Sequence, residues 1–270
     1  MTKLIAVIFD FDDTLAPDST NGFLKSRGVD TAEFWRTVGE RIASGWDPVP
    51  AYLYEMILVS NSGSAGPFTK ELFAAWGREL PLYNGVTSIF ERLRKHTSQL
   101  ASDIRLEFYC VSSGIGDIIR ASKIARQFTN IWSCDFHYDA DGRIVFPRNI
   151  ISFTDKTRYI FQVSKGFTGE DFNADPFIAN SKITGGYRIP FERMIFVGDG
   201  MTDVPCFSLV MKYGGIALGV YDRNKEAKWS RAWDFIETGR VVNIGSADYG
   251  KKSDLSNSLF MAVNAIAERK

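Results

Sequence analysis

Hydrophobic positions along the chain follow two rhythms. Short, nearly unbroken apolar runs occur at Leu4–Phe9 (LIAVIF), Ile104–Val111 (IRLEFYCV) and Met194–Val197 (MIFV). Such runs read as strands covered on both faces, as in a parallel sheet. Gly215–Val220 and Val241–Ile244 are shorter candidates of the same kind. Phe136–Tyr138 and Ile144–Phe146 flank Asp139-Ala140-Asp141-Gly142, which signals a hairpin turn. Between the runs the spacing turns helical. Asp30-Thr31-Ala32-Glu33 reads as a capping box with Asp in the usual Ser/Thr place. It opens a helix with Phe34, Trp35, Val38 and Ile42 on one face. A second helix starts near Pro50 and carries Leu53, Met56 and Ile57; after a flexible loop, Ser60–Gly66, a third covers Thr69–Trp76. Further helices are expected at Val86–Lys95, Ile115–Phe128, from Thr157–Val163, and at Leu255–Glu268. The stretch Gly166–Pro190 has weak periodicity, so it is either a functional loop or an element the pattern does not reveal.

Strands and helices therefore alternate over residues 1–16 and 85–270, which defines an α/β core with a doubly wound parallel sheet. The all-helical stretch 17–84 interrupts it early and reads as a small inserted helical domain. Composition changes this picture little. At 45% hydrophobic and 24% charged, the chain is built to fold rather than to stay disordered. Lys and Arg together number 32, and so do Asp and Glu, so the basic excess of a nucleic-acid binder is missing. No run approaches the ~20 apolar residues of a membrane span, and the N-terminal run passes directly into acidic residues, unlike a signal peptide. Cys110, Cys134 and Cys206 are odd in number and far apart, with no zinc spacing. A cytoplasmic protein without nucleic-acid or membrane partners is expected.

The candidate chemistry sits where the strands end. In open α/β sheets, ligands bind outside the carboxyl ends of the strands. The first run ends in Asp10 and Asp12, the second in Ser112, the third in Asp199 and Asp203. A single Asp at such a place is commonly a turn former or helix cap. Several gathered at one edge repel one another unless a cation neutralises them, and hard oxygen donors without His or Cys suit Mg²⁺. Mg²⁺ with carboxylates implies phosphoryl transfer. Asp10 and Asp12 lie two residues apart on one side of a strand end, so one can act as nucleophile and the other as general acid/base. A hydroxyl, from Ser112 or its neighbour Ser113, and the ammonium of Lys156 would hold the phosphoryl oxygens. Lys165 and Lys182 compete with Lys156 for that part. Asp13 is expected only to support the loop. Asp139–Gly142 is read as a turn and not as a calcium loop, because Arg148 falls where the bidentate Glu belongs.

These motifs resemble the haloacid dehalogenase superfamily of aspartyl-phosphate hydrolases. The matching residues are Asp10-Phe11-Asp12-Asp13-Thr14, Ser112 after its strand, Lys156, and Gly198-Asp199-Gly200-Met201-Thr202-Asp203. The placement of the helical insertion and the later hairpin resembles the phosphoserine-phosphatase-like branch. The resemblance implies Asp10 as nucleophile and Asp12 as acid/base. It implies a metal held by the Asp10 carboxylate, the Asp12 backbone carbonyl and Asp199, with Asp203 a ligand directly or through water. The expected function is Mg²⁺-dependent hydrolysis of a small phosphorylated metabolite. A phosphotransferase or mutase, and a non-catalytic binding module on the same fold, are the alternatives. Phosphoserine itself is not the expected substrate. Ser19 stands where its enzymes carry a Glu, and the stretch Pro50–Val59 contains no Arg or Lys to meet a carboxylate. Trp35, Trp46 and Tyr52 point to a nucleoside, a sugar or an aromatic alcohol as leaving group, unless these rings only fill the core of the inserted domain.

Overall fold

In a computed structural model the protein is described for residues 2–63, 65–167, 182 and 186–269. Among the described residues, seven strands form one sheet: β1 (Lys3–Phe9), β2 (Ile104–Ile115), β3 (Asn130–Tyr138), β4 (Ile144–Asn149), β5 (Met194–Gly198), β6 (Ile216–Tyr221) and β7 (Asn243–Ser246). Their order is β4-β3-β2-β1-β5-β6-β7, parallel except for the antiparallel β3–β4 hairpin. The sheet is flanked by helices, so the chain is α/β and doubly wound, as the apolar runs predict. β1 is central, and Ile5 through Phe9 are wholly buried.

The helices among the described residues are α1 (Ser19–Ser26), α2 (Thr31–Ala43), α3 (Pro48–Ser62), α4 (Lys70–Glu79), α5 (Val86–Leu100), α6 (Gly116–Ala121), α7 (Asp155–Lys165), α8 (Val204–Lys212), α9 (Glu226–Glu237) and α10 (Asp254–Ala267). Asp30 caps α2 by accepting from the amides of Ala32 and Glu33. Asp47 caps α3 in the same way, with Pro48 in its first turn, so this helix starts two residues before Pro50. Gly85 stands where the chain passes from α4 into α5. Its φ of +76° and the Tyr249 carbonyl carbon, 2.3 Å from where a Cβ would sit, leave room only for glycine.

Several elements depart from the pattern, and β3 begins at Asn130, ahead of the expected Phe136–Tyr138. β2 does not stop at Val111 but runs to Ile115, and its pairing with β3 breaks register between Val111 and Ile115. Ser112, Ser113 and Gly114 thus lie within an irregular strand end. The helix expected over Ile115–Phe128 is a short α6 followed by a 3₁₀ turn, Ala125–Gln127, because β3 already begins at Asn130. α8 and α9 have no counterpart among the helices expected from the sequence. The turn at Asp139–Gly142 forms as expected, with Asp139 Oδ1 accepting from the amides of Asp141 and Arg143. Most of Gly166–Pro190 lies outside the described residues.

Candidate active site

Strand register builds the site. Phe9 pairs with Cys110 on one side and with Val197 on the other. Asp10, Val111 and Gly198 therefore lie at one level of the sheet, with Ser112 and Asp199 the next residues along their strands. The Asp10 amide donates to the Val197 carbonyl at 2.9 Å, which fixes the start of the acidic loop. Lys156 comes from the first turn of α7, and Asp203 from the 3₁₀ turn after β5.

Lys156 has no exposure, and its Nζ lies 2.9 Å from Asp10 Oδ1 and 2.7 Å from Asp203 Oδ1. Burial works against its charge, yet the two carboxylates outweigh that and hold the ammonium above the ordinary lysine value. Burial pushes the Asp10 carboxyl up to about 6, with the Asp203 charge adding to the rise and Lys156 opposing it. Asp203 also closes its own turn, as Oδ2 accepts from the amides of Asp199 at 3.1 Å and Gly200 at 3.0 Å. Carboxylate oxygens of Asp10, Asp199 and Asp203 all lie within 4.8 Å of one another. The donors are all hard oxygens, which fits Mg²⁺ and does not fit a metal preferring thiolate or imidazole.

Asp12 faces the same cavity. Its Oδ1 accepts from the Ser19 amide at 2.7 Å, so the start of α1 orients it. Burial raises its carboxyl well above the usual range, helped by the nearby Asp18 and opposed by the Ser19 bond. Ser112 Oγ accepts from the Gly114 amide at 3.0 Å. Ser113 Oγ is buried without a hydrogen-bond partner, and the Ser113 carbonyl accepts from the Tyr52 hydroxyl of α3 at 2.5 Å. The structure thus brings Asp10, Asp12, Ser112, Ser113, Lys156 and Asp199 onto one cavity of about 300 Å³, with Asp203 behind Lys156. Lys165, at the far end of α7, and Lys182 do not line it.

Several contacts around these residues escaped the sequence reading. Asp13 adopts a positive φ of 55° and pairs with Lys225 at 2.6 Å, a partner that follows β6. Gly114 fits because a Cβ there would lie 2.3 Å from Asp12 Oδ2. Phe153, three residues before Lys156, lines the cavity, and its position beside that motif was the one available signal. Trp35 and Tyr52 line the cavity too, whereas Trp46 packs against Tyr54 and Arg41 instead.

The fold is that of the haloacid dehalogenase superfamily hydrolases, in the form seen in phosphoserine phosphatases. A HAD-family hydrolase of Salmonella enterica serovar Typhi superposes with a TM-score of 0.61 at 14% identity, over 97% of this chain and 72% of that one. A phosphoserine phosphatase in its apo form gives 0.58 at 13% identity over 95% and 98% of the two chains. A substrate-bound phosphoserine phosphatase gives 0.56 at 14% identity over 96% and 98%. In sequence the chain is similar to an uncharacterized protein of Borreliella burgdorferi, 29% identical over 94% of this chain and 95% of that protein. No family model matches. Among the described residues, no helix is long and apolar enough to cross a membrane.

Proposed function

We propose that the protein is a Mg²⁺-dependent phosphomonoesterase that hydrolyses a small phosphorylated metabolite through an aspartyl-phosphate. The observation that carries this reading is the buried Lys156 ammonium, bonded to both Asp10 and Asp203 at the base of a cavity whose wall also holds Asp12 and Ser112. A structural ion pair needs no such cavity, and a binding module needs no second aspartate beside the first.

The Asp10 carboxylate, the Asp12 backbone carbonyl and Asp199 would hold the metal. Asp203, both of whose oxygens already accept bonds, would support that set from behind. When bound, the dication supplies positive charge against the phosphoryl oxygens. The chain's own groups do the rest. A carboxylate oxygen of Asp10 attacks phosphorus, and the bond from phosphorus to the ester oxygen breaks. Asp12 gives its proton to the departing alkoxide; its upward-shifted carboxyl suits an acid. Asp12 then takes a proton from water, whose oxygen attacks phosphorus. The bond to Asp10 breaks, and inorganic phosphate leaves. Lys156, the Ser112 hydroxyl and Ser113 hold the equatorial oxygens throughout. The helices of residues 17–84 act as a cap that limits water during the first step. A cytoplasmic setting belongs to this proposal, supported by three buried cysteines without a disulfide.

The test is hydrolysis of p-nitrophenyl phosphate with Mg²⁺, with EDTA, and with glycerol added as an alternative acceptor. Inorganic phosphate released only with the metal is expected. Glycerol phosphate as the main product would make the protein a phosphotransferase, and no turnover with any divalent metal would remove the enzymatic reading.

A further inference from the structure

We infer that Thr20 reads the alcohol part of the substrate: its amide and hydroxyl hold a second oxygen of the leaving group, a hydroxyl on the carbon beside the phosphorylated one, so that the substrate is the monophosphate of a short polyol. The inference rests on the phosphatase reading and concerns the leaving group alone.

Thr20 is the second residue of α1 and lines the cavity, with only 4% of its surface exposed. The first turn of a helix has amides that the helix itself does not satisfy. In α1 the Ser19 amide donates to Asp12 Oδ1 at 2.7 Å, the Asn21 amide to Asp18 Oδ1 at 2.8 Å and the Gly22 amide to the Asp18 carbonyl at 3.0 Å. Among the described residues, the Thr20 amide has no such partner, and the Thr20 hydroxyl makes no hydrogen bond either. A polar group left unmet in a buried place is costly, and in native proteins it ordinarily finds a water or a ligand. Thr14 and Ser19 also carry unpartnered hydroxyls, but neither residue lines the cavity. Thr20 does, and it brings two groups at once.

Position sets what these groups read. Asp12, the acid of the proposed mechanism, is tied to the Ser19 amide, and Thr20 is the next residue along the helix. The ester oxygen that Asp12 protonates therefore departs beside Thr20. The phosphoryl oxygens belong to Lys156, Ser112 and Ser113, so the oxygen left for Thr20 is a neighbouring one on the alcohol.

A hydroxyl suits this place better than a carboxylate. It accepts from the Thr20 amide and gives its own proton to Asp18 on the same wall, since a carboxylate oxygen accepts more than one bond. A carboxylate has no proton to give. It also calls for a cation, and Lys156, the cation lining the cavity among the described residues, is bonded to Asp10 and Asp203. The carbon chain has Trp35 to lie against. That ring lines the cavity and is anchored one residue beyond Thr20, where its Nε1 donates to Asn21 Oδ1 at 3.1 Å. A volume of about 300 Å³, shared with the phosphate, suits a short chain better than a nucleoside.

The experiment measures kcat/KM under Mg²⁺ for 2-hydroxypropyl phosphate, its isomer 3-hydroxypropyl phosphate, propyl phosphate and phosphoglycolate, with p-nitrophenyl phosphate as the reference ester. In the parent, 2-hydroxypropyl phosphate should exceed each of the other three alkyl esters by about tenfold or more. Thr20→Val keeps the branched shape and removes the hydroxyl. The ratio of 2-hydroxypropyl to propyl phosphate should then fall about fivefold, the worth of one hydrogen bond. Taking the ratio on each protein cancels the intrinsic reactivity of the two leaving groups. Thr20→Ser should restore the parent ratio, with melting temperatures checked alongside. Turnover of the reference ester without preference for the neighbouring hydroxyl overturns the inference and leaves the phosphatase intact. Phosphoglycolate as the best alkyl ester overturns it in favour of an acid. A preference unchanged in Thr20→Val overturns it by taking the selection away from Thr20. No turnover of any ester overturns both readings.

Discussion

A single methyl group at position 114 would test how tightly the proposed acid is held. A Cβ on Gly114 would approach Asp12 Oδ2 to 2.3 Å, while Oδ1 is fixed to the Ser19 amide at 2.7 Å. The carboxyl cannot turn away without breaking that bond. Gly114→Ala should therefore lower kcat/KM by roughly 10²-fold, the scale of a misplacement of about 1 Å, with a smaller effect on the melting temperature. Full activity in this variant would show that Asp12 has room to move and that its position is not critical. Asp12→Asn asks the complementary question, because an amide can still accept from Ser19 but cannot give up a proton as an acid. Rates on alkyl phosphates should fall by roughly 10²–10⁴, the usual worth of a general acid/base. The loss should be smaller for p-nitrophenyl phosphate, whose leaving group needs no proton. Equal losses on both substrates would exclude the acid role.

At the scale of elements, the helices of residues 17–84 are fastened to the sheet at a few identifiable points. Tyr52 reaches the end of β2, Asp47 accepts from the Ser152 hydroxyl at 2.9 Å, and the Ile144 amide donates to the Phe68 carbonyl at 3.0 Å. α4 packs tightly against α6. There a Cβ on Gly77 would stand 2.2 Å from the Ile118 carbonyl oxygen and 2.9 Å from Ala121 Cβ. Neither neighbour is a flexible side-chain end, so one helix must shift. Gly77→Ala should cost about 1–3 kcal/mol, as overpacking does, measurable by urea denaturation. It should also reduce activity, since α6 follows directly on the irregular end of β2 that carries Ser112 and Ser113. A variant as stable and active as the parent would mean that α4 can slide on α6 without disturbing the site.

Taken as a whole, the molecule brings residues near positions 10, 112, 156 and 200 together at the ends of its central strands and the start of α7, and this is why the grouping of the candidate residues was legible in the sequence. Each motif adjoins an apolar run or a helix start, so the topology alone brings them together. What was not legible depends on tertiary partners. β3 contains Ser133 and Asp135, which look wrong for a buried strand until Arg120 of α6 arrives to meet them both. α9 exposes Trp229 and Trp233 while burying Phe235, which blurs its apolar face. The length of β2 was missed because Ser112-Ser113-Gly114 has the composition of a turn, although in space it is a break in register. The same convergence sets the electrostatics, with Lys156 the buried counter-charge between Asp10 and Asp203. Lys156→Met should leave two buried carboxylates without it, a loss of about 3–5 kcal/mol when one partner of such a pair is removed. In EDTA this corresponds to a drop in melting temperature of roughly 10 °C for a chain of this size. A cation that binds only the folded state stabilises it in proportion to its affinity. With the ammonium gone, the three carboxylates should hold Mg²⁺ more strongly, so Mg²⁺ should raise the melting temperature of Lys156→Met by more than that of the parent, while activity stays low because a phosphoryl-oxygen contact is lost. Equal responses to Mg²⁺ in the two proteins would place the metal away from Asp10, Asp199 and Asp203 and remove the electrostatic basis of the proposed mechanism.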